Sequence, residues 1–351
     1  MIKVPGSIYF LRERDFLTGE VSPYVKIGLV RKDKPTEKRI LEHQTGNPRE
    51  IYDYQTIEAT FVEDLETRLH YIFGAHWVTG EWFLLDELQL LEVIDVAQAY
   101  AQEQQQLAAV LDQADELATM VSSGLTLDAS ANANALWEEL KEVRTRIAME
   151  KATRSIAELK LRNLLGVHRG IRGIIDVQVS KSAATFNKAA FEESTYYAQF
   201  AAAYTKVQPG KFSGSFLLKN IPNLKTAHPL LDEELKALKL PKVSSADLTD
   251  VRLERTAEME ALHLVMISQD AKLGPLEWKN FQLETHLKLE VGVADGIKDI
   301  CTWKRLMKAE SEEFDVQRFK EEQPDIAELF MHTAAPSVKH PFSKFRAYPH
   351  L

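Results

Sequence analysis

The chain contains very little cysteine: Cys301 is the only one in 351 residues, so neither an internal disulfide nor a cysteine-based zinc site can form. Long apolar runs are also missing, since no segment approaches the ~20 residues that cross a bilayer, and the N-terminus lacks a signal-peptide pattern. The net charge is −9, which argues against a polycation that coats nucleic acid. These absences predict a cytoplasmic protein in which phosphate binding would have to be local.

A local concentration of positive charge is nevertheless present near the N-terminus. Residues 1–86 as a whole hold 11 basic and 14 acidic side chains, so this part of the chain is not basic. Six basic residues fall within 14 positions: Lys26, Arg31, Lys32, Lys34, Lys38 and Arg39. They indicate either a patch for a phosphate backbone or a solvated loop balanced by Asp33, Glu37 and Glu42.

Residues 7–85 have the pattern of a compact α+β unit. SIYFL and YVKIGLV predict a β-hairpin, EIYDYQTIEATF alternates like a third strand, and GEWFLLD predicts a closing strand. Helices are predicted over KPTEKRILEHQTG, which ends at Gly46, and over VEDLETRLHYIFG. The buried face of the second helix is expected to contain Leu65, Leu69, Ile72 and Phe73.

Residue 87 is predicted to begin a helical part of the chain. Residues 87–133 read as a glutamine-rich helical connector that ends in a small-residue linker, and another long helix follows from about Leu136. The apolar residues of this helix fit a coiled coil or packing within one domain. Packing is the favoured interpretation because two heptads are too few to establish a coiled coil.

Two segments of the C-terminal region resemble one another. Their matching residues are offset by 126 to 129 positions, as in the pairs Gly166 and Gly292, Phe186 and Phe314, Phe191 and Phe319, and Phe216 and Phe345. Nearly constant offsets predict two tandem, related α+β modules. We place them at residues 134–221 and 256–351, joined by a linker over residues 222–255.

Side chains suited to phosphodiester hydrolysis occur along the N-terminal unit. The reaction requires activation of water and stabilisation of charge on the phosphoryl oxygens, and a hard divalent cation with oxygen ligands commonly assists both. The candidates in chain order are Tyr9, Lys26, Arg39, His43, Glu66 and His70. The last four form two pairs at a spacing of four on predicted helices, so the members of each pair share a face. Taken singly, each has an ordinary structural interpretation.

In this order, SIYFL, VKIGL, KRILEHQTGNP, LETRLHYIF and GEWFLL resemble the GIY-YIG nuclease superfamily. The similarity is greatest to its bacterial and phage branch, whose second motif reads K-[IV]-G. It covers residues 6–85, about a quarter of the chain. The resemblance implies a small three-stranded sheet flanked by helices, with DNA cleavage as the activity.

The resemblance also implies a role for each candidate. Tyr9 is expected to assist activation of water, Arg39 to stabilise the charged phosphate, and Glu66 to bind one divalent metal, Mg²⁺ or Mn²⁺. His43 and His70 match polar positions that contact phosphate or relay protons. The side chains expected to bind the DNA backbone are Arg31, Lys32, Lys34 and Lys38.

The sequence departs from the superfamily pattern at three places. Ser7 replaces the first glycine, and Lys26 replaces the second tyrosine, where its charge is expected to lower the pKa of a nearby phenol. A late asparagine found in some of these enzymes has no clear equivalent near GEWF, where Trp82 and Phe83 read as structural residues.

A second resemblance covers residues 258–350, which are similar to the C-terminal tail of YqaJ-type viral recombinases. That tail is not the exonuclease core, and no matching Asp and Glu-x-Lys constellation lies upstream, so no second active site is expected. The two modules read either as a scaffold or as a part that grips DNA or a phage protein. Trp278 and Trp303 fit a nucleic-acid surface or a core.

The resulting hypothesis is an α+β protein with a GIY-YIG domain at residues 1–86, a helical connector and two repeat modules. Its expected function is metal-dependent DNA cleavage, in phage defence or in a mobile element. The alternative is a catalytically inactive adaptor with the same fold that binds nucleic acid or protein. DNA is the expected partner, a homo-oligomer and a phage protein are further candidate partners, and no membrane association is expected.

Overall fold

The computed structural model describes residues 2–32, 35–181, 183–240 and 243–345. Its mixed α+β architecture confirms the predicted fold class. The N-terminal unit consists of β1 (Gly6–Arg14), β2 (Val21–Arg31), α1 (Thr36–Gln44), β3 (Glu50–Ala59), α2 (Val62–Ile72), a 3₁₀ turn (Gly74–His76), β4 (Trp77–Thr79) and β5 (Trp82–Leu84). These strands form one sheet in the order β3-β1-β2-β5-β4, so two short strands extend the three long ones.

The central strand β1 is covered on both faces of the sheet. Its Ile8 and Phe10 belong to the core beneath α2, whereas Tyr9 and Leu11 belong to a smaller cluster that includes Ile40 of α1. Both neighbours of β1 run antiparallel to it. A strand buried on both faces reads as a nearly continuous apolar run, which is why SIYFL contains no regular polar alternation.

The two N-terminal helices lie where the sequence predicts them. Gly46, directly after the end of α1, has a φ of 82°, as expected for a left-handed glycine at this position. In α2, Leu65 and Leu69 are fully buried, but Ile72 is 48% exposed, so its predicted burial is wrong. Ile72 lies at the flank of the apolar stripe, and His70, on the opposite flank, is buried instead.

Three long helices dominate the remaining chain: α3 (Glu87–Ala118), α4 (Ala131–Leu165) and α9 (Ala257–Val291). The start of α4 packs on the end of α9 through residues such as Leu140 and Leu287, and its end packs on the start of α9 through Leu161 and Met266. The two helices are therefore antiparallel neighbours. This arrangement confirms packing within the chain as the correct interpretation of the α4 pattern.

The shorter elements of this region surround the α4–α9 pair. They are β6 (Thr126–Leu127), β7 (Gly170–Ile171), β8 (Ile175–Asp176), β9 (Gln178–Ser180), β10 (Thr185–Phe186), α5 (Lys188–Glu192), α6 (Thr195–Tyr204), β11 (Thr205–Gln208), β12 (Phe212–Ser213), β13 (Leu217–Leu218), α7 (Leu224–Ala227), α8 (Pro229–Ala237), β14 (Arg252–Leu253), β15 (Gly296–Ile297), β16 (Cys301–Thr302), β17 (Leu306–Met307), β18 (Ser311–Phe314), α10 (Val316–Glu322), α11 (Pro324–Glu328), β19 (Met331–His332) and β20 (Ser337–Lys339).

The two segments of the proposed repeat interleave. Strands β9 to β13 pair antiparallel with β20, β19, β18, β17 and β16, and parallel pairs join β6 to β15 and β14 to β7. Gly166 and Gly292, after α4 and α9, have φ values of 56° and 54°. The division into two modules stays a prediction, since their strands belong to shared pairs.

Several aromatic residues of the C-terminal region lie in its interior. Phe191 and Phe319 are fully buried, with ring centroids 4.8 Å apart. Trp278 and Trp303 are 2% and 3% exposed, so both are core residues and not a surface for stacking bases. No helix within the described ranges is long and apolar enough to cross a membrane.

Candidate active site at the edge of the N-terminal sheet

The predicted site residues come together around one edge of β2. Strand β5 pairs with β2 from Tyr24 to Lys26, and β2 itself continues to Arg31. Beyond the part of β2 that pairs with β5, side chains of α2 form hydrogen bonds with the backbone of β2. His70 Nε2 donates to the carbonyl oxygen of Ile27 at 2.8 Å, and the backbone N–H of Leu29 donates to the carboxylate of Glu66. These backbone groups, which β5 does not pair, thus fix the position of both helix residues.

Tyr9 reaches this edge because β2 has a glycine opposite it. Tyr9 and Gly28 are direct partners in the β1–β2 register, and a Cβ at Gly28 would lie 2.4 Å from the Tyr9 hydroxyl. The glycine of the KIG motif therefore makes room for the phenol. On the other side, the Tyr9 hydroxyl lies 3.3 Å from Nε2 of His43 on α1.

The environment keeps the phenol protonated at neutral pH. Burial and the negative charge of Glu81 raise the pKa of Tyr9 to about 12, against the lowering effect of Arg39. The pKa of Tyr9 is therefore raised overall and not lowered, and Lys26, which was expected to lower it, forms an ion pair with Glu81 at 2.5 Å. Burial, followed by the charges of Lys26 and Arg39, lowers the pKa of His43, so its imidazole is neutral and able to accept a proton.

Arg39 lies between solvent and the phenol. Its guanidinium bonds Glu42 at 2.7 Å and interacts with the Tyr9 hydroxyl, and both contacts raise its pKa. The side chain is 40% exposed, so the planar fork remains accessible to a phosphate from solvent. Arg39 and His43, four residues apart, thus both reach Tyr9 from the same face of α1.

Glu66 is the most perturbed carboxyl of the group. Burial and the nearby charge of Glu81 raise its pKa to about 7, and the positive charges of Lys344 and Lys26 only partly offset this. A second carboxylate near the first is the arrangement that disfavours ionisation of both. Lys26 relieves this repulsion for Glu81 alone. Burial raises the pKa of Glu81, but the ion pair with Lys26 outweighs burial, so this pKa is lowered overall.

His70 is bonded directly to the backbone of the sheet. Its Nε2 carries the proton, because a carbonyl oxygen can only accept, and the ring centroid lies 5.2 Å from that of Phe83. Burial lowers the pKa of His70, so the ring is neutral. The geometry gives His70 a structural bond to the β2 edge, and its catalytic assignment stays a prediction.

The basic patch is only partly free. Arg31 bonds Glu63, Arg39 bonds Glu42, and Lys26 is buried against Glu81. Lys32 and Lys38 are exposed on the surface, and Lys34 lies outside the described residues. DNA contacts by Arg31, Lys32 and Lys38 stay a prediction.

A divalent cation fits the donor chemistry of this edge. Among the residues that the structure describes, no three His, Cys, Asp or Glu side chains form a cage for a metal. Magnesium commonly uses one or two carboxylates and completes its shell with water and phosphate oxygens. Glu66 supplies such a carboxylate, and its raised pKa marks an anion that a cation would stabilise.

Glu81 is the site residue that sequence reasoning missed. It influences Tyr9, Glu66 and His43 electrostatically and pairs with Lys26. The GEWF motif contains this glutamate next to Trp82, one position after Gly80. The backbone oxygen of Glu81 also accepts from Ile27 N–H at 3.0 Å, so β5 delivers this carboxylate to the same strand edge.

Comparison with known protein families finds a match at the N-terminus. The family model of the T5orf172 domain matches residues 6–98, which include all of β1 to β5 and the start of α3. This domain is found in phage and bacterial nuclease-like proteins and is related to GIY-YIG-type endonucleases. No curated protein and no solved structure matches the chain.

Proposed function

We propose that the N-terminal unit is a metal-dependent endonuclease that hydrolyses phosphodiester bonds of DNA. The observation that carries this proposal is the convergence of Tyr9, Arg39 and Glu66, which come from three separate elements, at one strand edge. The family match to a nuclease-related domain supports the same assignment. The YqaJ-like tail contributes no catalytic step to this proposal.

In the proposed reaction, Tyr9 orients and deprotonates the attacking water. A phenol with a pKa of about 12 is a poor base by itself at neutral pH. His43, neutral and 3.3 Å away, takes the Tyr9 proton as the phenol receives the proton of water. The nucleophile is thereby activated without a free phenolate.

The remaining groups act on the phosphate and the cation. Arg39 donates to the phosphoryl oxygens, where negative charge develops. Glu66 would hold Mg²⁺ or Mn²⁺, and the cation would supply charge stabilisation at the scissile phosphate. The ion pair with Lys26 keeps Glu81 ionised, so the negative charge of Glu81 near Glu66 is neutralised by a partner.

Plasmid cleavage by the purified full chain tests the proposal. We expect nicking or linearisation with Mg²⁺ or Mn²⁺ and none with a chelator. Glu66→Gln and Tyr9→Phe should each reduce the rate by at least ~10²-fold, whereas Glu92→Gln, an exposed carboxylate on α3, should leave it unchanged. Cleavage that persists in Glu66→Gln would reject the metal assignment.

An inactive adaptor is the second candidate function. It is favoured by the lack of a three-residue metal cage among the described residues and by the mutual neutralisation of Lys26 and Glu81. This candidate predicts binding of DNA or RNA by the wild-type chain without cleavage under any metal condition. The same plasmid and oligonucleotide assays therefore separate the two functions.

The biological setting that we propose is restriction of invading DNA or service to a mobile element. It rests on the occurrence of the matched domain in phage and bacterial nuclease-like proteins. Phage plating on bacteria that express wild-type or Glu66→Gln protein tests it. A reduction in plaques that depends on Glu66 supports defence, and equal plating across a broad phage panel contradicts it.

A further inference from the structure

The end of the described chain returns to the candidate site. Phe345 is 8% exposed and belongs to the core of the N-terminal unit. Its ring stacks on Trp77 with centroids 4.7 Å apart and planes 13° apart, and it lies 6.0 Å from the ring of His70. An aromatic side chain from the last segment thus fills part of the wall of the nuclease-like unit.

The residues before Phe345 are fixed to the C-terminal region. Ser343 N–H donates to the carbonyl oxygen of Ile174 at 2.8 Å, and His263 Nε2 donates to the carbonyl oxygen of Ser343 at 2.9 Å. The Ser343 hydroxyl donates to the Phe345 carbonyl at 2.7 Å. The backbone of Lys344 is therefore anchored on both sides.

Lys344 itself is exposed and lies beside the α2 residues of the site. It lines a small cleft together with Thr67, His70 and Tyr71. Its charge lowers the pKa of both Glu66 and His70, which places the ammonium group within electrostatic range of the carboxylate. Within the described part of the chain, Lys344 forms no ion pair. A positive charge held at a fixed place and open to solvent is suited to a phosphate.

We propose that Lys344 is a phosphate-binding residue of the candidate site, supplied by the C-terminal segment to contact the DNA strand beside Glu66. The proposal rests on the nuclease function proposed above and adds a residue from outside the matched domain. It also gives the C-terminal region a role in the site, because docking of Phe345 sets the position of Lys344.

The test measures DNA binding in a Glu66→Gln background, so that it does not depend on cleavage. Binding of a labelled duplex of about 30 base pairs is followed by fluorescence anisotropy between about 50 and 200 mM salt. Lys344→Gln should weaken binding about tenfold at the lowest salt and reduce the slope of log K against log salt by about one unit, as for one lost phosphate contact. Lys339→Gln, an exposed lysine of β20, should change neither quantity.

Phe345→Ala should reproduce the Lys344→Gln defect while the circular dichroism spectrum is retained. If Phe345→Ala unfolds, the exposed Lys344→Gln alone decides the proposal. An unchanged affinity and salt slope when Lys344→Gln is added to Glu66→Gln, with normal DNA binding by Glu66→Gln and normal cleavage by wild type, overturns this inference and leaves the nuclease proposal intact. Faster cleavage in otherwise wild-type Lys344→Gln would show an inhibitory segment and also overturn it. A wild-type protein that neither binds nor cuts DNA overturns both.

Discussion

The N-terminal sheet edge and the α4–α9 region differ in how their buried polar groups are satisfied. In the α4–α9 region, Arg305 donates to three backbone carbonyls through its two Nη atoms and His263 donates to Ser343, so backbone acceptors meet these buried donors, although Arg305 Nε has no partner. At the sheet edge, Glu66 and Tyr9 have pKa values raised to about 7 and about 12. Buried polar groups that have hydrogen-bond partners stabilise a fold. Ionisable groups with strongly shifted pKa values beside a cleft are characteristic of a functional site.

Asp64 limits how far this comparison extends. Burial raises its pKa to about 6, although it lies on the same helix as Glu66. Two residues on a helix place the side chains about 200° apart, so Asp64 faces away from the β2 edge. Its neighbour Arg68 stacks on Tyr100 of α3 at 3.5 Å, which identifies a helix interface. A shifted carboxyl therefore indicates function only where other candidate groups converge on it.

The largest expected effect is on stability in the C-terminal region. Arg305→Ala should lower the free energy of unfolding by about 3–5 kcal/mol, because three buried carbonyls lose their donor and Trp303 loses a guanidinium 4.0 Å from its ring. Urea denaturation measures this loss. Arg252→Ala, whose ion pair with Asp176 is exposed, is the control and should cost less than about 1 kcal/mol. Equal losses for the two variants would contradict the claim that the buried hydrogen bonds of Arg305 stabilise this region.

At the sheet edge, Gly28→Ala should damage activity more than stability. The added methyl group would lie 2.4 Å from the Tyr9 hydroxyl, so the phenol must move, and we expect an approximately 10²-fold slower cleavage rate. Gly274→Ala in α9 adds the same methyl where nothing lies within 4 Å and should not alter cleavage. Full activity of Gly28→Ala would show that cleavage does not depend on the position of the Tyr9 hydroxyl.

Glu66→Gln should stabilise the fold at alkaline pH in metal-free buffer. The folded pKa of Glu66 is raised from 4.5 to about 7, so its contribution to stability decreases as the pH rises through this interval. Removing the charge should raise the free energy of unfolding by about 2 kcal/mol at pH 8 and by almost nothing at pH 4. Thermal melts at the two pH values measure the difference. A variant less stable than wild type at pH 8 would mean that neighbouring groups stabilise the ionised Glu66 carboxylate in the folded protein.

The sequence predicted the N-terminal elements well because each has a local signal. Alternation and apolar runs located β1 to β3, and Gly46 located the end of α1. The short strands of the C-terminal region could not be predicted in this way. Two residues, as in β6 or β15, show no periodicity, and their partners lie far away in the chain.

The candidate site residues could be predicted from the sequence as a group, but the contacts that pair them with one another could not. Tyr9 and Glu66 could be assigned from motif order, whereas the pairing of Lys26 with Glu81 depends on β5 joining the edge of β2. Phe345 was matched to Phe216 by sequence offset, yet it packs on Trp77, while Phe216 packs near Trp303. Contacts between the two ends of the chain leave no local pattern to detect.

The pH dependence of single-turnover plasmid cleavage, with saturating DNA and Mn²⁺ well below saturation so that the metal does not displace the proton of Glu66, tests the central claim most directly. In the proposed mechanism, cleavage requires ionised Glu66 and neutral His43, and the raised pKa of about 7 belongs to Glu66. The account predicts a rate that rises about tenfold per pH unit below 7 and levels off above it, with no such cleavage by Glu66→Gln. A rate that is flat or falls between pH 6 and 8, or a Glu66→Gln protein that cuts like wild type, would contradict it.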